Sequence, residues 1–224
     1  MSSMSSNPRF RWIRPAQQAR SQQTLERLLD SAEALIADKG FDDVTVTDIA
    51  ARAGFSVGAV YARFHDKKGV LHCLQDRFVK EAYLTTDVVF DPDRWEGASI
   101  REIVGELIVF LVEIHRERSG VLRELIVGTR SEPPMVQRKE GLVAHVSQRL
   151  CALLLPRAER ITHADPVAAV GFGLRLVLGT LEQAILFGEG GLFGVPSSDD
   201  ELAAELTRAF LGYLGVDERL GAVA

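Results

Sequence analysis

The residues best suited to polar chemistry are concentrated in one stretch, GFSVGAVYARFHDKKGVL, which spans Gly54–Leu71. Gly58 lies just inside the start of a predicted helix, where glycine costs about 0.5–1 kcal/mol relative to alanine. Lys67 and Lys68 lie in the first turn of the next helix, where the helix macrodipole disfavours cations by roughly a few tenths of a kcal/mol. Cations in this position indicate an anion outside the helix. The chemistry predicted here is therefore hydrogen bonding and ion pairing.

The sequence lacks the residue arrangements of an enzyme or a metal site. It has no nucleophile–base pair, no paired carboxylates and no phosphate-binding loop, and its five histidines form no H-x-x-x-H pair. Cys73 and Cys151 form neither a disulfide framework nor a zinc-binding pattern, which fits a reducing cytoplasm. We therefore expect no catalytic residues, no cofactor and no metal, and a small helical enzyme is a remote alternative.

The charge of the chain differs between its two ends. Residues 1–80 carry 12 Lys and Arg against 9 Asp and Glu, a net charge of +3, whereas the remainder carries a net charge of −8. We expect any polyanion to bind the N-terminal part. The first 20 residues contain Arg9, Arg11, Arg14 and Arg20 and no acidic residue, so they form either a solvated flexible arm or an arm that lies along DNA.

Helical periodicity runs through almost every long segment and predicts an all-α protein with about nine helices. Thr45 and Asp48 match a capping box at the start of a short helix that Gly54 ends. Ser56 is the predicted N-cap of the next helix. The predicted helices cover about 21–39, 45–53, 57–64, 67–87, 99–120, a short segment to 129, 133–155, 166–187 and 198–215, and GEGGLFGVP before the last of them is a predicted flexible loop.

Neither a secretory signal nor a membrane span is predicted. The first 20 residues have no apolar core of the kind that signal peptides carry. The most apolar stretch, Val167–Phe187, is interrupted by Arg175 and Glu182, which indicates a buried helix.

The second and third predicted helices, joined by a glycine turn and preceded by an amphipathic helix, match a helix-turn-helix. Ala50 lies where the two helices cross closely and a small side chain is needed. Gly54 suits the left-handed backbone conformation that a β-carbon disfavours.

The stretch TVTDIAARAGFSVGAVYARFHDKKGVL resembles the DNA-binding segment of the tetracycline-repressor (TetR) family of bacterial regulators. The shared pattern is I-A-x-x-A-G followed by S-x-G-x-(hydrophobic)-Y-x-x-F-x-x-K, and the resemblance covers roughly Thr24–Phe78. After the predicted flexible arm at 1–20, it implies a DNA-binding domain at 21–66 and a larger regulatory domain at 67–224. Within the regulatory domain it implies a connecting helix at 67–87, a ligand pocket at 99–155 and dimerisation helices at 166–215.

The resemblance also implies which residues contact DNA. The N-terminal end of the third helix would enter the major groove, and hydroxyl and ammonium groups around it would bind phosphates. Thr45 could instead be only a cap, Tyr61 a packing residue and Arg63 a solvated side chain. The predicted DNA-contacting residues are Thr45, Thr47, Ser56, Val57, Gly58, Tyr61, Arg63 and Lys67.

A small-molecule effector, largely apolar, is implied for the regulatory domain. Polar residues within apolar helices, together with nearby aromatic residues, are the predicted contacts, although each could instead be a surface or core residue. They are Trp95, Phe110, Glu113, His115, Arg123, His145, Phe172 and Gln183.

The helices at 166–187 and 198–215 resemble the family's dimer interface, although the first could be a core helix of a monomer. A dimer would read a palindrome, since one short recognition helix carries little specificity. We therefore expect a cytoplasmic homodimeric repressor that leaves a palindromic operator in double-stranded DNA when its effector binds. An activator and a regulator that senses no ligand are alternatives.

Overall fold

A computed structural model describes residues 15–129, 132–187 and 198–216, with the backbone alone for 15–20 and for 129. Met1–Cys73 and Leu74–Ala224 form two compact units. The predicted all-α class is confirmed, and no strand occurs within the described ranges. The helices are α1 (Pro15–Lys39), α2 (Val46–Ala53), α3 (Val57–Tyr61), α4 (Lys67–Val89), α5 (Ile100–Glu117), α6 (Ser119–Thr129), α7 (Pro133–Leu154), α8 (Pro166–Phe187) and α9 (Asp199–Leu214).

Helix α1 begins at Pro15, six residues before the predicted start at Ser21. The prediction was wrong because it assigned residues 15–20 to the arm, although proline is favoured at the first helical position and the residues that follow are mostly good helix formers. Arg20 is therefore helical, whereas Arg9, Arg11 and Arg14 lie outside the described residues, as does the predicted loop GEGGLFGVP.

The core of the first unit holds α2 and α3 against α1. Leu28 and Ala32 of α1 are fully buried, and Ile49 and Ala50 of α2 are almost as inaccessible. Val60 of α3 is 1% exposed. The helix-turn-helix is therefore held by apolar contacts on one side, and this leaves its other side available to solvent.

Helix α3 is shorter than predicted and ends at Tyr61 instead of Phe64. Phe64 is buried in the core, and Asp66 accepts a hydrogen bond from the Gly69 N–H (2.8 Å) at the start of α4. The chain must turn between Tyr61 and Asp66 to bury Phe64 and to place Asp66 at the start of α4. The helical pattern of the sequence therefore continues beyond the end of the helix.

The core of the second unit lies where α5, α8 and α9 pack together. Gly173 of α8 allows this packing, because a β-carbon there would lie on the ring of Phe210 of α9. Phe210 itself is fully buried. The close approach of α8 and α9 therefore depends on one missing side chain.

Of the described helices, α8 alone is long and apolar enough to cross a membrane, judged only by length and composition. Its residues Val170, Leu174 and Val177 are fully buried within the second unit. A core helix satisfies the same test, but only 28% of the most apolar stretch of α8 is buried, so the predicted buried helix is buried on one face alone.

Candidate nucleic-acid interface and internal cavity

Thr45 caps α2 and uses its own hydrogen-bond donors in doing so. The Asp48 N–H donates to Thr45 Oγ1 (3.1 Å), while the Thr45 N–H and hydroxyl both donate to Asp48 Oδ2 (2.9 and 2.7 Å). These bonds from Thr45 lower the pKa of the Asp48 carboxyl. The cap reading of Thr45 is therefore the one that the geometry favours, and a phosphate contact would have to replace a bond to Asp48.

Thr47 and Ser56 retain donors that Thr45 does not. Both are exposed, and the Thr47 hydroxyl has no hydrogen-bond partner among the described groups. Ser56 caps α3 by accepting from the Ala59 N–H (3.2 Å), a bond that leaves its hydroxyl hydrogen unused. Two hydroxyl donors are thus available in the helix-turn-helix, one on α2 and one at the start of α3.

The surface of α3 carries Val57, Gly58 and Tyr61. Val57 is 37% exposed, Tyr61 is 57% exposed, and Gly58 is exposed along its backbone. A β-carbon added to Gly58 would approach nothing nearer than Ser56 Oγ at 3.8 Å, and Gly58 does not have a positive φ. The fold itself therefore gives no reason for glycine at this position.

Lys67 has partners inside the first unit, which revises the reason for expecting an external anion. Its Nζ donates to the carbonyl oxygens of Phe41 (2.9 Å) and Asp42 (3.0 Å) and lies 4.5 Å from the centroid of the Phe41 ring. The loop after α1 thus accounts for a cation at the start of α4. An ammonium group has three donors, so one hydrogen remains for a phosphate.

Arg63 is half-buried and follows α3, and its side chain lies against that helix. Its Nη1 donates to the Ala59 carbonyl oxygen (3.2 Å), and its Nε is buried without a partner among the described residues. The side chain is thus partly fixed in place, unlike a freely solvated arginine.

Arg27 of α1 positions the turn, and the sequence reading missed it. Its Nη2 donates to the Ala53 carbonyl oxygen (2.9 Å), and its guanidinium carbon lies 4.8 Å from the centroid of the Phe55 ring. Between these residues, Gly54 has the predicted left-handed backbone (φ 72°). No sequence signal marks Arg27, because its partners lie 26 and more positions away and an exposed arginine on a helix is common.

The second unit contains a cavity of about 250 Å³ lined mainly by apolar side chains of α4 to α8. Phe78 of α4 and Leu174 of α8 are among its walls, so the cavity extends beyond the predicted range 99–155. Helical periodicity identifies the apolar faces, but it does not show which of them leave space between helices.

Charged groups on the cavity walls pair with one another. Nζ of Lys139 lies 2.7 Å from Oε1 of Glu182, and Nη1 of Arg118 lies 2.9 Å from Oε2 of Glu81. None of these four residues was predicted to line a pocket, since on a linear sequence they resemble ordinary surface charges.

His115 also lines the cavity, and its protonation state follows from a backbone contact. Its Nδ1 lies 2.7 Å from the carbonyl oxygen of Leu111, which can only accept, so Nδ1 carries the proton of the neutral ring. Burial lowers the pKa of His115 below its ordinary value of 6.5. The ring is therefore neutral at pH 7 and presents Nε2 as an acceptor.

Two of the eight residues predicted to bind an effector, Phe110 and His115, line the cavity, and the other six lie elsewhere. The six are Trp95 and His145, which have partners described below, Phe172 at the surface of α8, and Glu113, Arg123 and Gln183, which are exposed.

Trp95 and His145 are engaged away from the cavity. Trp95 is buried and donates from Nε1 to the carbonyl oxygen of Val89 (2.7 Å). Nε2 of His145 lies 3.0 Å from Oδ1 of Asp87. Both residues were singled out by type alone, and residue type does not show which side of a helix faces empty space.

Apolar side chains of α8 and α9 remain exposed on the second unit. Phe172 is 51% exposed, and its ring centroid lies 4.8 Å from that of Tyr213, which is itself partly exposed. Val167 and Phe187 are also exposed on α8. Large exposed apolar residues on neighbouring helices are typical of an interaction surface.

A family model described as "Bacterial regulatory proteins, tetR family" matches residues 28–74. An uncharacterised helix-turn-helix transcriptional regulator of Mycobacterium bovis is 28% identical over 204 residues, 84% of this chain and 93% of that protein. The helix-turn-helix transcriptional regulator SrpR of Pseudomonas putida is 23% identical over 75% of this chain and 78% of its own length.

Solved structures of similar proteins share the fold over most of the chain. A TetR-family transcriptional regulator from Mesorhizobium loti has a TM-score of 0.69 at 19% identity, over 88% of this chain and 98% of its own. SmeT, the repressor of the Stenotrophomonas maltophilia multidrug efflux pump SmeDEF, has a TM-score of 0.62 at 20% identity, over 86% of this chain and 90% of its own.

Proposed function

The chain belongs to the TetR family of helix-turn-helix transcriptional regulators, and we propose that it is a homodimeric repressor that leaves a palindromic operator when a small molecule binds its second unit. Gly58 is the observation that carries the DNA-reading part of this proposal. The fold does not require a glycine there, so the missing side chain is best explained by close approach of another molecule to the backbone of α3. The free donors of Thr47 and Ser56 and the exposed ring of Tyr61 lie in the same unit.

The proposed dimer forms through α8 and α9, at 166–187 and 198–215. The exposed Phe172 and Tyr213 support this interface, because burying such side chains against a second copy is favourable. A two-fold dimer would present two copies of α3, and a palindromic operator would match that symmetry.

The proposed effector site is the cavity of the second unit. The cavity walls include residues of α4, and α4 begins with Lys67 of the first unit. A ligand that shifts α4 would thus change the spacing of the two α3 helices. A coupling free energy of about 1–3 kcal/mol is enough for such a response.

The proposed role as a repressor is supported by the similarity to SmeT, which is named as a repressor. We expect the protein to act in the cytoplasm, because operator DNA is found there. We also expect it to have no enzymatic activity of its own.

Deletion of the gene tests the direction of regulation. We expect the transcript that the protein controls to rise in the deletion strain and to return to its original level on complementation. A fall in that transcript would identify an activator.

The stoichiometry of DNA binding tests the dimer. Purified protein should bind DNA from its own promoter with two chains per operator, and binding of one chain would contradict the dimer.

A further inference from the structure

The cavity of the second unit offers no unpaired charge to a ligand. Lys139 is paired with Glu182, and Arg118 with Glu81, so the four charged side chains on the walls balance. A charged ligand group would lose its hydration without gaining a counter-ion, and an unpaired charge is costly in an apolar site. The walls therefore favour an uncharged ligand.

One group on the walls has a defined and unused hydrogen-bonding role. The proton of His115 lies on Nδ1, which donates to the Leu111 carbonyl oxygen. Within the described part of the chain, Nε2 has no hydrogen-bond partner. A ligand that donates a hydrogen bond complements this nitrogen, whereas a ligand that only accepts leaves two acceptors facing each other.

The volume of the cavity indicates the size of ligand that it can hold. An engineered cavity of about 150 Å³ binds benzene, so 250 Å³ accommodates roughly ten non-hydrogen atoms by proportion. Two fused rings, or an aliphatic molecule of similar volume, have this size.

We propose that the cavity binds an uncharged, mainly apolar molecule of this size that donates one hydrogen bond to Nε2 of His115. The inference rests on the proposed function, namely that the effector binds in this cavity. It adds the chemical class of the effector and the residue that selects it.

Four compounds of nearly the same shape test this inference: naphthalene, naphthol, methoxynaphthalene and naphthoate. Binding to the full-length protein is measured by equilibrium dialysis near pH 7, where naphthol is neutral and naphthoate is an anion. We expect naphthol to bind about tenfold more tightly than methoxynaphthalene, which lacks the donor, and than naphthoate, which is charged. Equal binding of naphthol and methoxynaphthalene would overturn the inference.

Variants then assign the preference to His115. His115→Phe should bind naphthalene as tightly as the wild type but lose the tenfold preference for naphthol, whereas His115→Gln should keep part of it because the amide oxygen accepts. Circular dichroism checks that both variants fold. If His115→Phe keeps the full preference, the assignment to His115 is wrong even if the compounds bind.

A cavity-filling variant shows where the compounds bind. Val143→Phe reduces the space at the cavity wall and should weaken all of the compounds. Unchanged naphthol binding in this variant would place the site elsewhere and overturn the inference. If naphthalene binds in the cavity without any preference for naphthol, the inference fails while the proposed effector site stands. If none of the four compounds binds, both fail.

Discussion

Arg27 of α1 donates a hydrogen bond from Nη2 to the carbonyl oxygen of Ala53, the last residue of α2, at a distance of 2.9 Å. The same guanidinium group lies over the ring of Phe55. One side chain thus holds both sides of the turn that separates α2 from α3, and the direction of α3 depends on a residue in another helix.

Replacing Arg27 with Ala should lower both the stability of the first unit and its affinity for operator DNA. The hydrogen bond and the ring contact are partly exposed, so we expect a loss of about 1 kcal/mol in the free energy of unfolding. Urea unfolding of the full chain and fluorescence anisotropy with promoter DNA measure the two effects. Gln23→Ala, an exposed change on the same helix, is the control. An Arg27→Ala protein with wild-type DNA affinity would remove the proposed positioning role.

Replacing Gly58 with Val should impair operator binding without loss of stability. The added β-carbon would make only an ordinary contact with Ser56 Oγ, so the free protein accommodates the side chain. In the complex, the same atoms would separate α3 from DNA, and we expect affinity to fall at least about tenfold if one or more base or phosphate contacts are lost. Gly105→Val on α5, where a β-carbon meets nothing within 4 Å, is the control. If both variants bind equally well, Gly58 has no role in DNA recognition.

Replacing Lys67 with Ala should have two effects that are measured separately. The loss of its bonds to Phe41 and Asp42 should destabilise the first unit by about 1–2 kcal/mol. The loss of one phosphate contact should reduce the slope of log K against log salt by about 0.9.

Tyr61→Phe is the companion variant for Lys67→Ala. The tyrosine is exposed and its hydroxyl has no partner within the described residues, so only DNA affinity should fall. If Lys67→Ala changes the free energy of unfolding but leaves the slope of log K against log salt unchanged, the role of Lys67 is purely structural.

Replacing Phe172 with Glu should separate the proposed dimer. A carboxylate in the centre of an apolar interface would be buried without a partner. Small-angle scattering is expected to give a monomer-sized particle for Phe172→Glu and a dimer-sized particle for Val109→Glu, a control at another exposed apolar residue. A dimer-sized Phe172→Glu protein would exclude this surface as the interface.

His115 should make the second unit less stable in acid. Burial lowers its pKa, an effect that the charge of Lys139 supports and that both the Leu111 carbonyl and Glu182 oppose. In the unfolded chain His115 takes up a proton near its ordinary value of 6.5, whereas in the folded chain it does so only at lower pH. Stability is therefore present above pH 6.5 and is lost as the pH falls through the lowered folded value.

His115→Phe should accordingly reduce the loss of unfolding free energy between about pH 7 and pH 5. Urea titrations at both values measure this difference. Phe110→Leu changes the cavity wall without removing the titrating group, so it should keep the wild-type dependence on pH. Identical pH dependence in His115→Phe and the wild type would show that His115 does not contribute.

The local features of the fold were predictable from sequence because they depend on neighbouring residues. The capping box of Thr45 and Asp48 and the left-handed Gly54 are of this kind, since spacing alone specifies them. The end of α3 was not predictable, because the turn depends on burying Phe64 in the core.

The candidate sites were predictable only where a local motif marks them. Lys67 was noticed as a cation in the first turn of a helix, where the macrodipole disfavours it. Its partners Phe41 and Asp42 lie 26 and 25 residues earlier in the chain, so no local motif marks them. The pairing of Lys139 with Glu182 around the cavity depends on how helices pack, which helical periodicity does not determine.

The contact between Gly173 and Phe210 has a consequence for how this protein can evolve. A side chain at 173 would require the space that the ring occupies, and a smaller residue at 210 would leave a hole in the core. Each change alone passes through a poorly packed ancestor, since overpacking and cavity formation are both destabilising. We therefore expect positions 173 and 210 to change together in evolution, because either change alone destabilises the core.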